Sequence, residues 1–212
     1  EFAKIGYHAI WHGQKSFNGV AILADGVQPV EIMRGLPGDP EDEHARYIEA
    51  DVNGVRVVCI YLPNGNPVPG PKFDYKLAWM ERLRVRMAEL WAQELPCAVV
   101  GDFNVIPTDQ DVWSPKAMAS DALMQPESRD AYARLLGDGW TDAIATLNPR
   151  GGVWTYWDYQ AGAWQRDHGF RIDHLLLSPE LADRLEAAGV DKAHRGREKA
   201  SDHAPVWVSI RD

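Results

Sequence analysis

The order of elements in residues 47–102 constrains the fold more than any other feature of the sequence. The segment YIEADVNGVRVVCIYLP at 47–63 has two β-rich arms around Asn53-Gly54, a dipeptide that favours a tight hairpin. Residues 72–95 carry apolar side chains at steps of three and four, which predicts one long helix. The apolar run at 98–100 then predicts another strand. A hairpin, a long helix and a further strand in succession indicate a mixed α/β sheet rather than an all-β or all-α fold.

The remaining elements follow the same interleaved pattern. Further strands are predicted at 7–11, 19–24, 29–33, 152–159, 170–178 and 203–210, and shorter helices at 127–137, 141–147 and 179–189. Ser128 and Thr141 are the predicted caps of the first two short helices, and Gly137 is the predicted stop of the first. A chain of 212 residues is long enough for one full core. We therefore predict a single domain, a four-layer α/β sandwich with two mixed sheets packed face to face and helices outside.

Net charge, cysteine content and hydropathy limit the kinds of partner and cellular location that we expect. The net charge of −9 argues against a general nucleic-acid binder, although it allows a local basic groove. Cys59 and Cys97 both lie in apolar runs, so we expect buried reduced thiols rather than a disulfide framework or a zinc site. The sequence contains no run that resembles a transmembrane segment or a signal peptide. We therefore expect a cytoplasmic protein without a membrane partner.

Polar side chains cluster at the predicted strand ends. In the stretch AVVGDFNVIP, Asp102 and Asn104 are two positions apart and point the same way. Alone, such a pair is also what caps an ordinary loop. The other clusters have compatible chemistry: they are Tyr61 with Asn64, Asp173, and Asp202 with His203. Because residues beyond strand ends commonly line one cleft, the four clusters together predict a shared site.

The motifs that carry these residues resemble those of the bacterial exonuclease III family, a branch of the endonuclease/exonuclease/phosphatase superfamily. The segments are, in order, GVAIL, YLPNG, GDFN, TYWDYQ, FRIDHLLLS and SDHAPVW, and they span almost the whole chain. GDFN and SDH occur across the superfamily, whereas YLPNG, WDYQ and HGQKSFNGVAIL are more particular to the exonuclease III branch. The resemblance implies a DNase I-like fold. It also implies a Mg²⁺- or Mn²⁺-dependent nuclease that cuts DNA 5′ to abasic sites and removes nucleotides or blocking groups from 3′ ends.

One part of the family pattern has no counterpart in the sequence. The family begins with a strand–helix–strand unit that carries an Asn motif and a metal-binding Glu, and neither motif is present. We therefore expect the domain over 1–212 to be N-terminally incomplete as given. This departure leaves open a second interpretation, an inactive truncated fragment that binds DNA.

The resemblance assigns catalytic roles to five residues. Asp102 would act as the general base for an attacking water, and Asn104 would hold that water or a phosphate oxygen. His203 would donate to a phosphate oxygen, with Asp173 fixing its tautomer. Tyr61 would place its hydroxyl near the scissile phosphate. The expected metal ligands are Asp102, Asn104 and Asp202, since hard divalent cations prefer oxygen donors.

Substrate contacts are expected on both sides of this centre. Asn64 would bind phosphate or sugar, and Tyr156, Phe170 and Ile172 would form an apolar pocket for a flipped abasic sugar. Lys15 and Arg197 would contact DNA phosphates, which set position rather than sequence. The resemblance also implies that Trp157, next to the pocket residue Tyr156, packs into the core. We expect double-stranded DNA as the partner and a monomer as the working form.

A different enzyme class shares the GDFN and SDH motifs. Superfamily phosphodiesterases that act on lipid or inositol phosphates use the same phosphate chemistry with another specificity surface. The WDYQ segment and the basic residues at 195–199 favour the DNA enzyme over this alternative.

Overall fold

A computed structural model describes residues 2–211 of the protein. Its largest element is a six-stranded mixed sheet. The strands are β1 Tyr7–His12, β2 Val20–Asp25, β3 Val30–Arg34, β4 Tyr47–Val52, β5 Val55–Tyr61, β6 Cys97–Asp102, β7 Thr141–Asp142, β8 Asp173–Leu177, β9 Leu185–Val190 and β10 Val206–Ile210. The α-helices are α1 Pro71–Trp91, α2 Pro115–Met118, α3 Pro126–Gly137, α4 Ala143–Leu147, α5 Ala163–Arg166 and α6 Pro179–Ala182. Short 3₁₀ segments lie at Phe2–Ile5, Asp109–Asp111, Ala122–Met124 and Lys192–Gly196.

The order of strands in the large sheet is β3-β4-β5-β6-β8-β7. The predicted Asn53-Gly54 hairpin joins β4 to β5, and both of its turn residues have positive φ. Helix α1 then crosses over so that β6 pairs with β5 in parallel. Strand β8 pairs antiparallel with β6. This topology confirms the mixed α/β sheet predicted from the order of elements.

The second layer consists of two separate antiparallel ribbons in the described residues. The β1–β2 ribbon packs on β4 and β5, and the β9–β10 ribbon packs on β8. The face of the large sheet between them is only half buried at Val57, Cys59 and Val100. In the described residues the second layer of the predicted sandwich thus consists of these two ribbons, and no described strand joins them.

Helix α1 covers the other face of the large sheet. Its apolar stripe, which includes Trp79, Leu83 and Met87, packs against Val58 and Val99 in the main core. The helix ends at Trp91 rather than at 95, because the chain turns and Glu94 adopts a positive φ. The shorter helix still forms the crossover connection between the parallel strands β5 and β6.

A buried ionic cluster fixes α1 to the sheet. The fully buried Glu49 of β4 accepts hydrogen bonds from Arg56 Nη1 at 2.6 Å and from Arg86 Nη2 at 3.0 Å. Tyr47 also donates its hydroxyl to Glu49 at 2.7 Å. A buried carboxylate with several charge-assisted partners is costly to disturb, since removal of one partner leaves an uncompensated charge. The cluster thus fixes the angle of the helix over β4 and β5.

Strand pairing overrides local propensity in the C-terminal third. The helix predicted at 179–189 is helical only over Pro179–Ala182, and Leu185–Val190 instead forms β9. This strand pairs with β10, and Gly189 makes room for the Trp207 ring. The alanines in the segment fit a helix, but pairing with a neighbouring strand decides the outcome.

Several predicted boundaries and caps are wrong. The strand predicted at 152–159 is reduced to isolated bridges from Tyr156 to Phe170 and His203. Ser128 lies inside α3, which begins at Pro126, and its hydroxyl donates to the Ala122 carbonyl. Asp142 rather than Thr141 caps α4. The strands predicted at 170–178 and 203–210 begin later, at Asp173 and Val206.

Both cysteine predictions agree with the structure. Cys97 is buried and Cys59 is half buried, and both are free thiols whose pKa values are raised by burial. Among the described residues, no helix combines the length and apolar character that crossing a bilayer requires.

Gly101 is the tightest point of the sheet. Its φ is +136°, and a Cβ at this position would lie 2.0 Å from the Ile60 carbonyl oxygen of the adjacent strand. We expect Gly101→Ala to lower the free energy of unfolding by about 2 kcal/mol or more, since both strain and overpacking contribute. Urea unfolding followed by circular dichroism measures this change.

Gly13→Ala is the matched control. Gly13 has open space around its Cβ position, so this substitution should change stability by less than about 0.5 kcal/mol. Equal unfolding midpoints for Gly101→Ala and Gly13→Ala would contradict the close approach of β5 and β6.

Candidate active site

Polar side chains form a row at one edge of the large sheet, where β5 and β6 end and β8 begins. In the register of the sheet, Tyr61 of β5 lies opposite Asp102 of β6, and Asp102 lies opposite Asp173 of β8. All but Asp173 of the predicted catalytic residues line one cleft of about 590 Å³, together with Asn64, Tyr156, Phe170, Ile172 and Asp202. Asp173 adjoins the cleft through its hydrogen bond to His203. The structure therefore brings the four strand-end clusters together.

Asp102, Asn104 and Asn64 form a chain of hydrogen bonds. The Asp102 carboxylate accepts from the Asn104 backbone N–H at 2.8 Å and from its side-chain Nδ2 at 3.0 Å. Asn104 Oδ1 in turn accepts from Asn64 Nδ2 at 3.0 Å. Asn104 has a φ of +48°, a conformation that Asn tolerates better than most residues and that its bonds to Asp102 support. The buried amide thus fixes the orientation of the carboxylate.

His203 and Asp173 form an oriented pair. His203 Nδ1 lies 2.8 Å from Asp173 Oδ2, so the ring donates from this nitrogen and leaves Nε2 for a substrate. Burial disfavours the charged ring, but the hydrogen bond to Asp173 and the nearby carboxylates of Asp102 and Asp202 outweigh it. Together they raise the pKa of His203 to about 9. The imidazole is therefore a cationic hydrogen-bond donor at neutral pH.

The cleft carries more negative charge than its own cations balance. Loss of contact with water and the neighbouring charge of Asp173 raise the pKa of Asp102 to about 7. Burial and Asp102 also raise the pKa of the Tyr61 hydroxyl. A carboxylate held in such surroundings is stabilised by an added cation.

The donors around Asp102 fit a hard divalent cation by their chemistry. Asp102, Asn104 and Asp202 all present oxygen atoms to the cleft, the donor type that Mg²⁺ prefers. Within residues 2–211, no cluster of three or more His, Cys, Asp or Glu side chains is placed to hold a metal. The described residues therefore offer a partial ligand set, of the right chemistry for an ion that keeps several waters.

An apolar wall adjoins the catalytic end of the cleft. The ring centroid of Tyr156 lies 5.0 Å from that of His203 and 4.7 Å from that of Phe170. Phe170 and Ile172 are buried at 9% and 3% exposure. The predicted core position of Trp157 is confirmed, since its side chain is fully buried. The three pocket candidates are therefore contiguous and next to His203.

The basic candidates lie outside the cleft. Lys15 is exposed in the loop between β1 and β2. Arg197 is exposed and lines a shallow depression that also contains His203 and Ser201. The nearby Arg195 is buried instead, and it donates to the Trp157 carbonyl. Of the basic residues at 195–199 that the sequence places beside the site, Arg195 is therefore not an exposed one.

Sequence reasoning missed Lys76 of α1. This lysine is fully buried, and its Nζ donates to the Asn64 carbonyl at 3.1 Å and to the Asn104 carbonyl. Burial lowers the pKa of Lys76 to about 7, although the negative charges of Asp102 and Asp121 oppose the shift. The signal was available, because position 76 falls within the apolar stripe of the helix, between Phe73 and Met80. A charged residue there needs an internal partner.

Other residues of the cleft also escaped the sequence analysis, among them Trp113, Met118, Leu123 and His168. Trp113 follows a short 3₁₀ segment, and His168 follows α5. These residues come together through contacts between segments that are distant in the sequence, so no local sequence pattern predicts that they share a cleft.

The comparisons with known proteins agree with this geometry. The model of the Endonuclease/Exonuclease/phosphatase family matches residues 2–203. Exodeoxyribonuclease III of Haemophilus influenzae is 33% identical over 222 residues, a match that covers 98% of this chain and 82% of that protein. The exodeoxyribonuclease of Bacillus subtilis is 30% identical over 207 residues, with 96% and 79% of the two chains covered.

Solved structures of DNA repair enzymes are also similar to this chain. The 3′ phosphatase NExo from Neisseria, bound to a product DNA hairpin, superposes with a TM-score of 0.95 at 36% identity. The match covers 99% of this chain and 81% of that chain. An AP endonuclease from Archaeoglobus fulgidus gives a TM-score of 0.93 at 34% identity, with the same coverage. The predicted DNase I-like class is therefore confirmed.

Lys76→Met tests whether the buried lysine stabilises the loops of Asn64 and Asn104. We expect this variant to lose about 2–4 kcal/mol of unfolding free energy, because the carbonyls of Asn64 and Asn104 lose their donor. Urea unfolding measures the loss, and Lys72→Met at the exposed start of α1 is the matched control. A Lys76→Met protein as stable as the wild type would show that the buried ammonium does not support these loops.

Proposed function

The chain belongs to the endonuclease/exonuclease/phosphatase family, and we propose that it is a DNA repair nuclease that hydrolyses phosphodiester bonds 5′ to abasic sites and at 3′ ends. The observation that carries this proposal is the single cleft in which Asp102, Asn104, Tyr61 and His203 meet an apolar wall. Relatives at 30–33% identity are exodeoxyribonucleases. The polar end suits attack on phosphorus, and the apolar end suits a sugar.

Hydrolysis at this centre needs an oriented water. Asp102, held by both nitrogens of Asn104, accepts the proton of the water as its oxygen bonds to phosphorus. The bond from phosphorus to the 3′ oxygen breaks, so one product keeps a 3′ hydroxyl and the other carries the new phosphate oxygen. Abasic cleavage and trimming of 3′ ends share this step, since each attacks a phosphorus next to a 3′ oxygen.

His203 and Tyr61 stabilise charge around the phosphorus. The cationic ring of His203, oriented by Asp173, donates to a non-bridging oxygen as negative charge grows there. The Tyr61 hydroxyl lies beside Asp102 in the sheet register and donates to the phosphate or to the departing oxygen. Asn64 binds a phosphate or sugar oxygen at the edge of the cleft.

A divalent cation completes the proposed site. Asp102, Asn104 and Asp202 would hold Mg²⁺ or Mn²⁺, which neutralises the phosphate charge and supports the departing oxygen. The acidic lining of the cleft, where Asp121, Asp158 and Asp202 accompany Asp102, supports this assignment.

The apolar wall would distinguish an abasic nucleotide. Extrusion of a nucleotide without a base costs little, and Tyr156, Phe170 and Ile172 offer its sugar a dry surface. Lys15 and Arg197, both exposed, would contact the backbone of double-stranded DNA outside the cleft. We further propose that the protein works as a monomer in the cytoplasm.

Asp102→Asn tests the general base. The amide would place donors against the nitrogens of Asn104 and could not accept the proton of water. We expect kcat on a duplex with one abasic analogue to fall by about 10²–10⁴-fold. Quenched-flow assays measure kcat, and fluorescence anisotropy should show little change in the affinity for DNA.

Asp183→Asn, at an exposed position after α6, is the matched control and should cut normally. Loss of DNA affinity with unchanged kcat in Asp102→Asn would contradict the assigned role.

Removal of metal tests the proposed cation. EDTA should abolish cleavage, and Mg²⁺ or Mn²⁺ in excess should restore it, because the acidic cleft repels phosphate without a cation. A cleavage time course before and after dialysis measures the effect. Full activity in the chelator would rule out the metal mechanism.

A further inference from the structure

Two stacked aromatic rings line the cleft beside Phe170 of the apolar wall. The rings of Trp113 and His168 are stacked, with centroids 3.7 Å apart and planes 3° from parallel. Both residues line the same cleft as Asp102 and His203. We call this pair the Trp113–His168 platform.

Backbone hydrogen bonds hold the two segments that carry the platform. The Trp113 backbone N–H donates to the Gly169 carbonyl at 3.0 Å, and that of His168 donates to Ala163 at 2.9 Å. The neighbouring Val112 bridges to Phe170, which belongs to the apolar wall. The backbone that carries the two stacked rings is therefore tied to the strand-like segment of Phe170, which belongs to the pocket.

The platform nevertheless remains open to solvent. Trp113 is 40% exposed, close to the 46% of Trp91, but unlike Trp91 it lines the cleft. A large aromatic surface left exposed inside a cleft is typical of a binding surface.

Charge favours a stacking contact over an ionic one. Among the described residues that line the cleft, none is a lysine or arginine, whereas Asp102, Asp121, Asp158 and Asp202 are acidic. The part of a nucleotide that can bind the apolar end of such a cleft is its neutral base. Aromatic side chains stack on bases of any sequence, because every base presents a π-face.

We propose that the Trp113–His168 platform stacks on the base of a 3′-terminal nucleotide and so determines how well base-bearing 3′ ends compete with ends or lesions that lack a base. This inference rests on the proposed nuclease function. With the phosphorus near Asp102 and the sugar against the apolar wall, the base of the departing nucleotide extends towards Trp113. An abasic site and a 3′ phosphate have no base at this place, so the platform contributes nothing to their cleavage.

Three substrates built on one duplex sequence test the proposal. One ends in an unpaired 3′ nucleotide, one ends in a 3′ phosphate, and one carries an internal abasic analogue. We expect Trp113→Ala and Trp113→Leu to lower kcat/KM for the unpaired nucleotide by about tenfold or more, mainly through KM, as loss of one base–aromatic stack predicts. The other two substrates should be cut at the wild-type rate.

Trp113→Phe is the conservative variant and should retain most activity on the unpaired nucleotide, because it keeps a flat ring. Trp91→Ala is the matched control, since Trp91 is 46% exposed at the end of α1 and outside the cleft, and it should change none of the three rates. If Trp113→Ala does not fold, the comparison of Trp113→Leu with Trp113→Phe decides the question, because leucine keeps apolar volume without a ring.

Each outcome separates the platform from the nuclease function. Equal losses on all three substrates, or no loss on the unpaired nucleotide, would overturn the platform and leave the nuclease intact. A wild-type protein that cuts none of the three would instead overturn the proposed function itself. Selective loss on the base-bearing end, restored by Trp113→Phe, supports the platform.

Discussion

The parallel pairing of β5 with β6 is the constraint on which the site depends. It places the carboxyl ends of the two strands side by side, so Tyr61 and Asp102 become neighbours. The antiparallel pairing of β8 with β6 then adds Asp173 to the same row. A slip of one residue would turn each side chain to the other face of the sheet. The hydrophobic pattern that determines the core thus also determines the geometry of the candidate site.

The site combines buried charges of both signs that a simple core would exclude. Lys76 lies under the loops of Asn64 and Asn104, and His203 is cationic beside Asp173. Both charges lower the pKa of Asp102, but burial and the neighbouring charge of Asp173 outweigh them and raise it. Such groups cost stability when they are isolated, so they persist where each has a hydrogen-bonded partner. The remaining negative charge suits a metal ion and a phosphate that bind together.

Much of this arrangement could be predicted from the sequence, because it is locally encoded. The Asn53-Gly54 hairpin and the apolar runs of β5 and β6 follow from local propensity and periodicity, and GDFN follows directly from its strand. Strand β9 could not be predicted in this way, since its pairing with β10 overrides the helical preference of its alanines. The stack of Trp113 on His168 joins segments 55 positions apart in the sequence and has no local signal. Lys76 lies between these extremes, because a charged residue in an apolar stripe signals an internal partner but does not identify it.

The central claim is that water attacks a DNA phosphorus at the row formed by Tyr61, Asp102 and Asp173. The measurement that tests it most directly is cleavage of a duplex with one abasic analogue in ¹⁸O-labelled water with Mg²⁺, followed by mass spectrometry of both fragments. The account predicts one ¹⁸O atom in the 5′ phosphate of the fragment that carries the abasic analogue, and an unlabelled 3′ hydroxyl on the other. Label in the 3′ hydroxyl, or strand breakage without any label, would contradict it.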